Sequence, residues 1–407
     1  FLRTICSRKN WGLQPLLQRP CARRDMLADL EREWVEVNDQ LHFYWHRPPL
    51  ELVEQQSRDP DTVRILLNGC FDLMHVGHFN ALRQAKLLFF QQGYKKVVMV
   101  AGIHSDEAIS NQKGPPMMSN DERTAILEAT KWVDEFVTQL PYTQISVQMA
   151  DTLRVKWVCH GDDMPVCRGG HGMYSAVVEE KRFQVLKRTE GISTTQIISR
   201  IIQQQGWSQH QGEAGGAGEA LSSALCTAQR LQQFAAPPGD RPPKQLTAAK
   251  RVVYVPGIFD LIHPGHVSIL RQAATLGDFL LVGLYSDETV TVHRNHGKPP
   301  VLTLLERALA VLSMRWVDDV VLGAPWNVTD ELLTSMNISC VVLGRAPGAS
   351  QEDSDQFLVP RRRDILTELT SCFAISSEAL KQRLIACSAE LVKRNSKMME
   401  KELSYIS

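Results

Sequence analysis

The chain has 407 residues, 43% of them hydrophobic, and its 45 Lys+Arg balance 45 Asp+Glu. That length admits two or three domains with cores of ordinary composition. Zero net charge excludes a global attraction to nucleic acid or an anionic membrane surface, so an anionic ligand would have to be caught by a local pocket.

Nine scattered cysteines without a C-x-x-C form neither a disulfide framework nor a zinc site, and they suit a reducing compartment. The sequons at Asn327 and Asn337 are then chance matches. No apolar run approaches the roughly 18 residues of a membrane span.

In chain order, residues 1–24 hold Arg3, Arg8, Lys9, Arg19, Arg23 and Arg24 with no acid before Asp25. That composition suits an organelle transit peptide, here mitochondrial, or a disordered basic leader, and both readings stay open. Residues 1–60 are read as leader and 61–204 as a first domain. Within it, runs at 65–67, 97–101 and 156–159 read as strands, and 79–90 and 121–131 as helices. Residues 205–249 are a linker: "QQGWSQHQGEAGGAGEALSSA" is flexible in composition, and "AQRLQQFAAPPGDRPP" begins as a short helix that prolines stop. A second domain takes 250–390, and 391–407 is a charged tail or short helix with no assigned role.

The two domains are read from an internal repeat. "LLNGCFDLMHVGHFNALRQA" (66–85) is echoed by "VYVPGIFDLIHPGHVSILRQ" (253–272), and "AGIHSDEAI" (101–109) by "VGLYSDETV" (282–290). "KGPPMMSNDERTAILEATKWVDEFV" (113–137) is echoed by "GKPPVLTLLERALAVLSMRWVDDVV" (297–321), and "LPY" (140–142) by "APW" (324–326). The offset, on the order of 185 residues, is far longer than a solenoid unit, so the copies are whole domains. Apolar strands alternating with helices imply parallel sheets covered on both faces. The expected fold is α/β: two tandem doubly wound, Rossmann-like domains, each with its site at the carboxyl ends of the strands.

The repeated His-x-Gly-His opens a helix after a strand and a tight turn. His75 and His78 would sit at that helix's first turn, where unpaired N–H groups and the helix dipole favour an anion. Gly77 leaves room for close approach, and Pro264 is compatible with the same position in the second copy. No third ligand stands at metal spacing, so two imidazoles here read as phosphate donors rather than a zinc site. Lys113, on a Gly/Pro loop, could close over phosphates. Arg123 and its echo Arg307 begin helices, with a cationic clamp and a simple ion pair as the alternatives. Arg188 precedes Ser193, Thr194 and Thr195 at another helix start, where hydroxyl caps are common.

His-x-Gly-His together with "RTEGIST" resembles the cytidylyltransferase family of nucleotidyltransferases, over about residues 62–390. The resemblance implies transfer of CMP from CTP, with Mg²⁺ bridging phosphates, and the tandem arrangement resembles members that act on phosphoethanolamine. Phosphocholine as acceptor, or a catalytically inactive cytidine-nucleotide-binding protein, are the alternatives. By the same resemblance His75, His78, Lys113 and Arg188 are catalytic. Cys70, Phe71, Arg123, His160, Gly161, Asp162, Asp163, Ile192, Ser193, Thr194 and Thr195 join His78 and Lys113 around CTP. Asp162 or Asp163 could pair with the substrate ammonium, and Tyr142 or Tyr174 could pack on it. Family members tend to pair, which implies a homodimer, and the cytoplasm, at most peripheral to an organelle membrane, is the expected compartment.

The second copy departs from the first. It has "LGRA" (343–346) for "HGDD" (160–163), and "TSCFAISSE" (370–378) for "KRTEGISTT" (187–195). Its expected nucleotide site comprises Ile258, Phe259, His263, His266, Arg307, Leu343, Gly344, Arg345, Ser376 and Ser377, with Arg294 or Lys298 in place of Lys113. The first domain is therefore expected to carry the chemistry.

Overall fold

The computed structural model describes residues 30–38, 41–162, 172–206, 228–235, 246–247, 250–293, 297–348 and 355–387. The expectations for residues 1–24, the Gly/Ala-rich part of the linker, the 391–407 tail, Asp163 and Arg294 lie outside the described residues.

The first domain builds a seven-stranded sheet from β1 (Glu31–Asn38), β2 (Leu41–Arg47), β3 (Thr62–Gly69), β4 (Lys96–His104), β5 (Glu135–Leu140), β6 (Trp157–Gly161) and β7 (Phe183–Leu186), in the order β1-β2-β5-β4-β3-β6-β7. The second builds a five-stranded sheet from β8 (Val252–Gly257), β9 (Phe279–Leu284), β10 (Asp319–Leu322), β11 (Ile338–Arg345) and β12 (Leu366–Thr370), in the order β10-β9-β8-β11-β12. The five strands β5-β4-β3-β6-β7 are parallel, and so are all five of the second sheet. Both sheets have the same doubly wound order, as the repeat requires. β3 and β4 are buried almost end to end, because helices cover both faces and leave no polar side to the pleat.

Residues 31–58, left with the leader in the sequence reading, are ordered elements of the first sheet. β1 and β2 form an antiparallel hairpin, β2 adds antiparallel to β5, and the helix Leu50–Arg58 follows. The joint is chemical as well as geometric. Arg64 on β3 and Glu135 on β5, both 1% exposed, form an ion pair at 2.6 Å, and Trp45 Nε1 on β2 donates to the same carboxylate at 3.0 Å. A buried charge pair is tolerated where further hydrogen bonds support it, and here Gln56 and the Leu153 carbonyl accept from the two terminal guanidinium nitrogens, leaving Nε alone without a partner among the described residues.

The two domains pack about a pseudo-twofold axis. The Lys131 amide donates to Ser313 O at 2.9 Å and the Arg315 amide to Ala129 O at 2.8 Å, around an antiparallel bridge between Thr130 and Met314. The repeated "KWVDE" and "RWVDD" segments thus meet each other. The helix Val76–Gln91 packs on Leu304–Leu312, and Pro264–Ala274 on Asn120–Ala129. This is the self-complementary geometry of a homodimer interface, realised between halves of one chain around one shared apolar core.

The short linker helix, Ala228–Ala235, seals the joint. Phe234 is buried and meets Trp132 edge-on at 5.4 Å, while Lys131 Nζ donates to the carbonyls of Phe234 and Ala235 at 3.2 and 2.9 Å. A cation there satisfies carbonyls that a helix end leaves unpaired. Among the described residues no helix is long and apolar enough to cross a membrane.

Candidate active site

The site begins at the turn between β3 and the helix Val76–Gln91, at the carboxyl end of the sheet where the strand order reverses between β3 and β6. Phe71 and Leu73 take φ of 50° and 48°, and their counterparts Phe259 and Leu261 take 54° and 51°. Left-handed backbone at a bulky side chain costs on the order of 1–3 kcal/mol per residue and clusters at functional sites. Asp72, between the two, anchors the turn by accepting the Met117 and Met118 amides at 2.8 and 3.0 Å. Asp260 does the same with Val301 and Leu302, at 3.0 Å each.

His75 is the N-cap of the helix. Its Nδ1 accepts the Gly77 amide at 3.1 Å, and its own amide donates to His78 Nδ1 at 3.3 Å. With Nδ1 an acceptor in both rings, the neutral tautomers carry hydrogen on Nε2. Burial, then the neighbouring His78 and Arg188, hold the His75 pKa well below its usual value, so the ring is neutral. Gly77 is needed by the ring itself: a Cβ there would lie 2.8 Å from His75 Cε1 and 3.0 Å from Nδ1.

Both imidazoles line a cleft of about 460 Å³. Of the residues expected from sequence, the cleft gathers Cys70, Phe71, His75, His78, Lys113, Tyr142, His160, Gly161, Tyr174, Arg188, Ile192, Ser193, Thr194 and Thr195. The segment carrying Arg188 is tied to the histidine helix: Asn80 Nδ2 donates to Thr189 Oγ1 at 2.9 Å and Gln84 Nε2 to Lys187 O at 3.2 Å. Ser193 Oγ caps the helix Thr194–Gly206 by accepting the Gln196 amide at 3.2 Å, and Thr194 Oγ1 donates to Asp72 O at 3.3 Å. Lys113 ends the helix Asp106–Lys113, with Nζ 5.4 Å from the centre of the Tyr142 ring.

Two expected residues stand elsewhere. Arg123 is fully buried and spends its guanidinium on the carbonyls of Met118, Cys70 and His104 and on the Asp106 carboxylate, so it braces the cleft from behind instead of facing CTP. Asp162 is exposed and outside the lining.

Of the polar floor, sequence reasoning named only Tyr174 and missed Asn68 and His104. Asn68, His104 and Tyr174 are buried together: Asn68 Nδ2 meets His104 Nε2 at 3.3 Å, and Tyr174 Oη donates to Asn68 Oδ1 at 3.1 Å. His104 Nδ1 lies 3.1 Å from Pro141 O, which makes Nδ1 the donor and Nε2 the acceptor. Burial is the main cause that drops the His104 pKa to about 3. A polar residue closing each of two apolar strands, "ILLNG" and "VAGIH", was the available signal. Lys187 and Gln112 also line the cleft and were not singled out.

The second domain has a matching cleft of about 530 Å³, lined by Ile258, Phe259, His263, His266, Leu343, Gly344, Arg345, Ser376 and Ser377 among others. Lys298 is outside this lining. Arg307 repeats the buried brace of Arg123, on the carbonyls of Leu302, Ile258 and Tyr285 and the Asp287 carboxylate. The cations differ from those of the first cleft. Ser371 stands where the first copy has Arg188, Lys381 pairs with Asp260 at 3.2 Å, and Arg345 pairs with Glu368 at 3.1 Å. The second histidine has also lost its anchor, for buried His266 Nδ1 has no hydrogen-bond partner among the described residues.

Comparison with known proteins agrees with the two clefts. The family model described as cytidylyltransferase-like matches residues 66–200 and 254–383. The chain is 36% identical to the ethanolamine-phosphate cytidylyltransferase of Arabidopsis thaliana, with 84% of this chain and 85% of that protein covered. It is 34% identical to the ethanolamine-phosphate cytidylyltransferase of Dictyostelium discoideum, over 84% of this chain and 96% of that one. The human choline-phosphate cytidylyltransferase A is 34% identical over only 42% of this chain and 46% of its own.

Proposed function

The chain belongs to the cytidylyltransferase-like family, and on that premise we propose that it transfers CMP from CTP to phosphoethanolamine, giving CDP-ethanolamine and pyrophosphate. The observation that carries the substrate is the span of the match. Relatives named for ethanolamine phosphate align across both domains, whereas relatives named for choline phosphate align over less than half of the chain.

The chemistry suits the first cleft. A phosphate oxygen of phosphoethanolamine forms a bond to the α-phosphorus of CTP. The bond from that phosphorus to the bridging oxygen breaks, and pyrophosphate leaves with the electron pair. The nucleophile is already an anion at neutral pH, so no general base is required. Catalysis is then positioning plus stabilisation of the charge that builds on the leaving group. His75 and His78 supply Nε2–H donors to the triphosphate, and neutral rings suffice because a donor, not a charge, is what they contribute. Lys113 and Arg188 supply the positive charge. Ser193, Thr194 and Thr195 hold the nucleotide at a helix start, and Cys70, Phe71, His160 and Gly161 flank the cytidine. Tyr142 offers its ring to the ammonium, while Tyr174, buried against His160 and Phe183, supports the floor beneath.

Among the described residues the cleft offers no carboxylate cage for a resident metal, and the Asp72 oxygens are taken by two backbone amides. Mg²⁺ is therefore assigned to the substrate, as the MgCTP complex in which triphosphate oxygens supply the ligands. The reading places the reaction in the cytoplasm, supported by the scattered cysteines, of which the five described carry thiols.

The second cleft keeps His263, His266 and the hydroxyl caps Ser376 and Ser377, but among the described residues its cations Arg345 and Lys381 are paired with Glu368 and Asp260 and a serine stands in the place of Arg188, so its role is binding rather than turnover. The test is pyrophosphate release from MgCTP with phosphoethanolamine against phosphocholine. Release with a strong ethanolamine preference supports the proposal, preference for phosphocholine reassigns the acceptor, and no release with either leaves a nucleotide-binding protein.

A further inference from the structure

The helix Thr194–Gly206 opens at the nucleotide cleft and ends against the other domain. Two turns beyond Ser193, Arg200 Nη1 donates to both carboxylate oxygens of Glu306 at 3.0 and 2.8 Å and to Val301 O at 3.3 Å. One turn further, Gln204 Nε2 reaches the carbonyls of Pro299 and Pro300 at 3.2 and 3.4 Å. The first domain's anion-binding helix is thus seated on one loop of the second domain, residues 299–302, whose Val301 and Leu302 amides are held by Asp260.

The pseudo-twofold axis supplies an internal control. Arg383, the counterpart of Arg200, donates to Glu122, the counterpart of Glu306, at 3.0 and 2.8 Å. The contacts are alike, but the surroundings are not. Arg200 and Glu306 are 12% and 1% exposed, while Arg383 and Glu122 are 47% and 16% exposed. An exposed pair is screened and contributes little, whereas a buried one is costly to break because it strands a charge. The strong arm therefore runs from the second domain to the helix of the first cleft, and the weak arm runs the other way.

We propose that Glu306, in the second domain, is a positioning residue for the first-domain site: through Arg200 it fixes the helix whose start supplies Ser193, Thr194 and Thr195 to CTP. The inference rests on the assignment of cytidylyl transfer to the first cleft, and it gives the second domain a part in the reaction that needs no chemistry of its own.

The test is a double-mutant cycle in the full chain, read both as steady-state constants and as equilibrium binding of CTP. Glu306→Gln keeps the shape and removes the charge. It is expected to weaken CTP binding and raise the KM for CTP about tenfold, with the KM for phosphoethanolamine moving less than about threefold. Arg200→Gln should do the same, and the double variant should be no worse than either single one, because the contact can be lost only once. Glu306→Asp should fall between wild type and Glu306→Gln, and Arg383→Gln should match wild type. Unchanged CTP affinity in Glu306→Gln, full additivity of the two losses, or an equal loss in Arg383→Gln would each overturn the proposal. If Glu306→Gln does not fold, Arg200→Gln set against Arg383→Gln carries the same comparison, because the contact runs through Arg200 Nη1 alone. Wild type that binds CTP but forms no CDP-ethanolamine would sink the proposed reaction, while the binding cycle would still read the coupling.

Discussion

The Gly77 amide donates to His75 Nδ1 at 3.1 Å, and the Gly265 amide donates to His263 Nδ1 at the same 3.1 Å. One hydrogen bond, kept in both copies, explains the spacing of His-x-Gly. The histidine caps its own helix by accepting an amide two residues on, and that acceptance leaves Nε2–H as the ring's donor. The copies part at the next residue, where His78 Nδ1 is held by a backbone amide and His266 Nδ1 is not.

Replacing His75 or His78 by Ala in the first copy should therefore lower kcat by about 10²–10³, the usual loss for one donor to developing charge. His263→Ala should leave kcat within about threefold of wild type, because among the described residues the second pair is accompanied by no counterpart of Arg188, and Arg345 and Lys381 are paired with Glu368 and Asp260. Pyrophosphate release under saturating MgCTP measures both. Equal loss in His263→Ala would make the second cleft part of the working site.

Gly77→Ala is a sharper probe, since it removes no functional group. Alanine raises helix propensity by about 1 kcal/mol over glycine, so the fold should be kept. The added Cβ must displace the His75 ring, which lies 2.8–3.0 Å from it. The expected outcome is a fall in kcat with little change in thermal midpoint, and retained activity would show that the ring position is not critical.

Arg123 and Lys113 separate bracing from binding. Arg123→Ala removes the donor to three carbonyls, and each buried acceptor left unpaired costs about 1–3 kcal/mol, while the half-exposed Asp106 carboxylate is rehydrated. Denaturant unfolding should register that loss. Lys113→Ala should leave the unfolding midpoint alone and raise the KM for CTP. A selective CTP effect in a stably folded Arg123→Ala would return that residue to the binding site.

The pH dependence of stability follows from the buried histidines. His104 has an ordinary value of 6.5 and, mainly through burial, a folded value of about 3. Below pH 6.5 the unfolded chain takes up a proton that the folded one refuses, so unfolding is favoured as pH falls. The contribution is complete above 6.5 and is lost progressively as pH falls towards 3. His46 and His266, lowered to about 4 and about 3 mainly by burial, act in the same direction. Denaturant midpoints at neutral and mildly acidic pH should show wild type losing stability on acidification, and His104→Gln losing less of it. Parallel slopes in the two proteins would mean that His104 is not a source.

The sequence by itself determined the tandem architecture, because a repeated strand–turn–helix pattern needs no tertiary information to be seen. It also determined most of the first cleft. His75, His78, Arg188 and Ser193–Thr195 lie at strand ends and helix starts, where local spacing dictates direction. Only the tertiary structure could decide what depended on contacts between distant segments. It turned Arg123 inward, since carbonyls from three separate segments converge on its guanidinium. It brought Asn68, His104 and Tyr174 from three elements into one buried polar floor. It drew residues 31–58 into the first sheet, where Trp45 meets Glu135. It also folded the repeat onto itself, so that Glu306, which closes the capping box of its own helix, is at the same time the buried partner of a helix in the other domain.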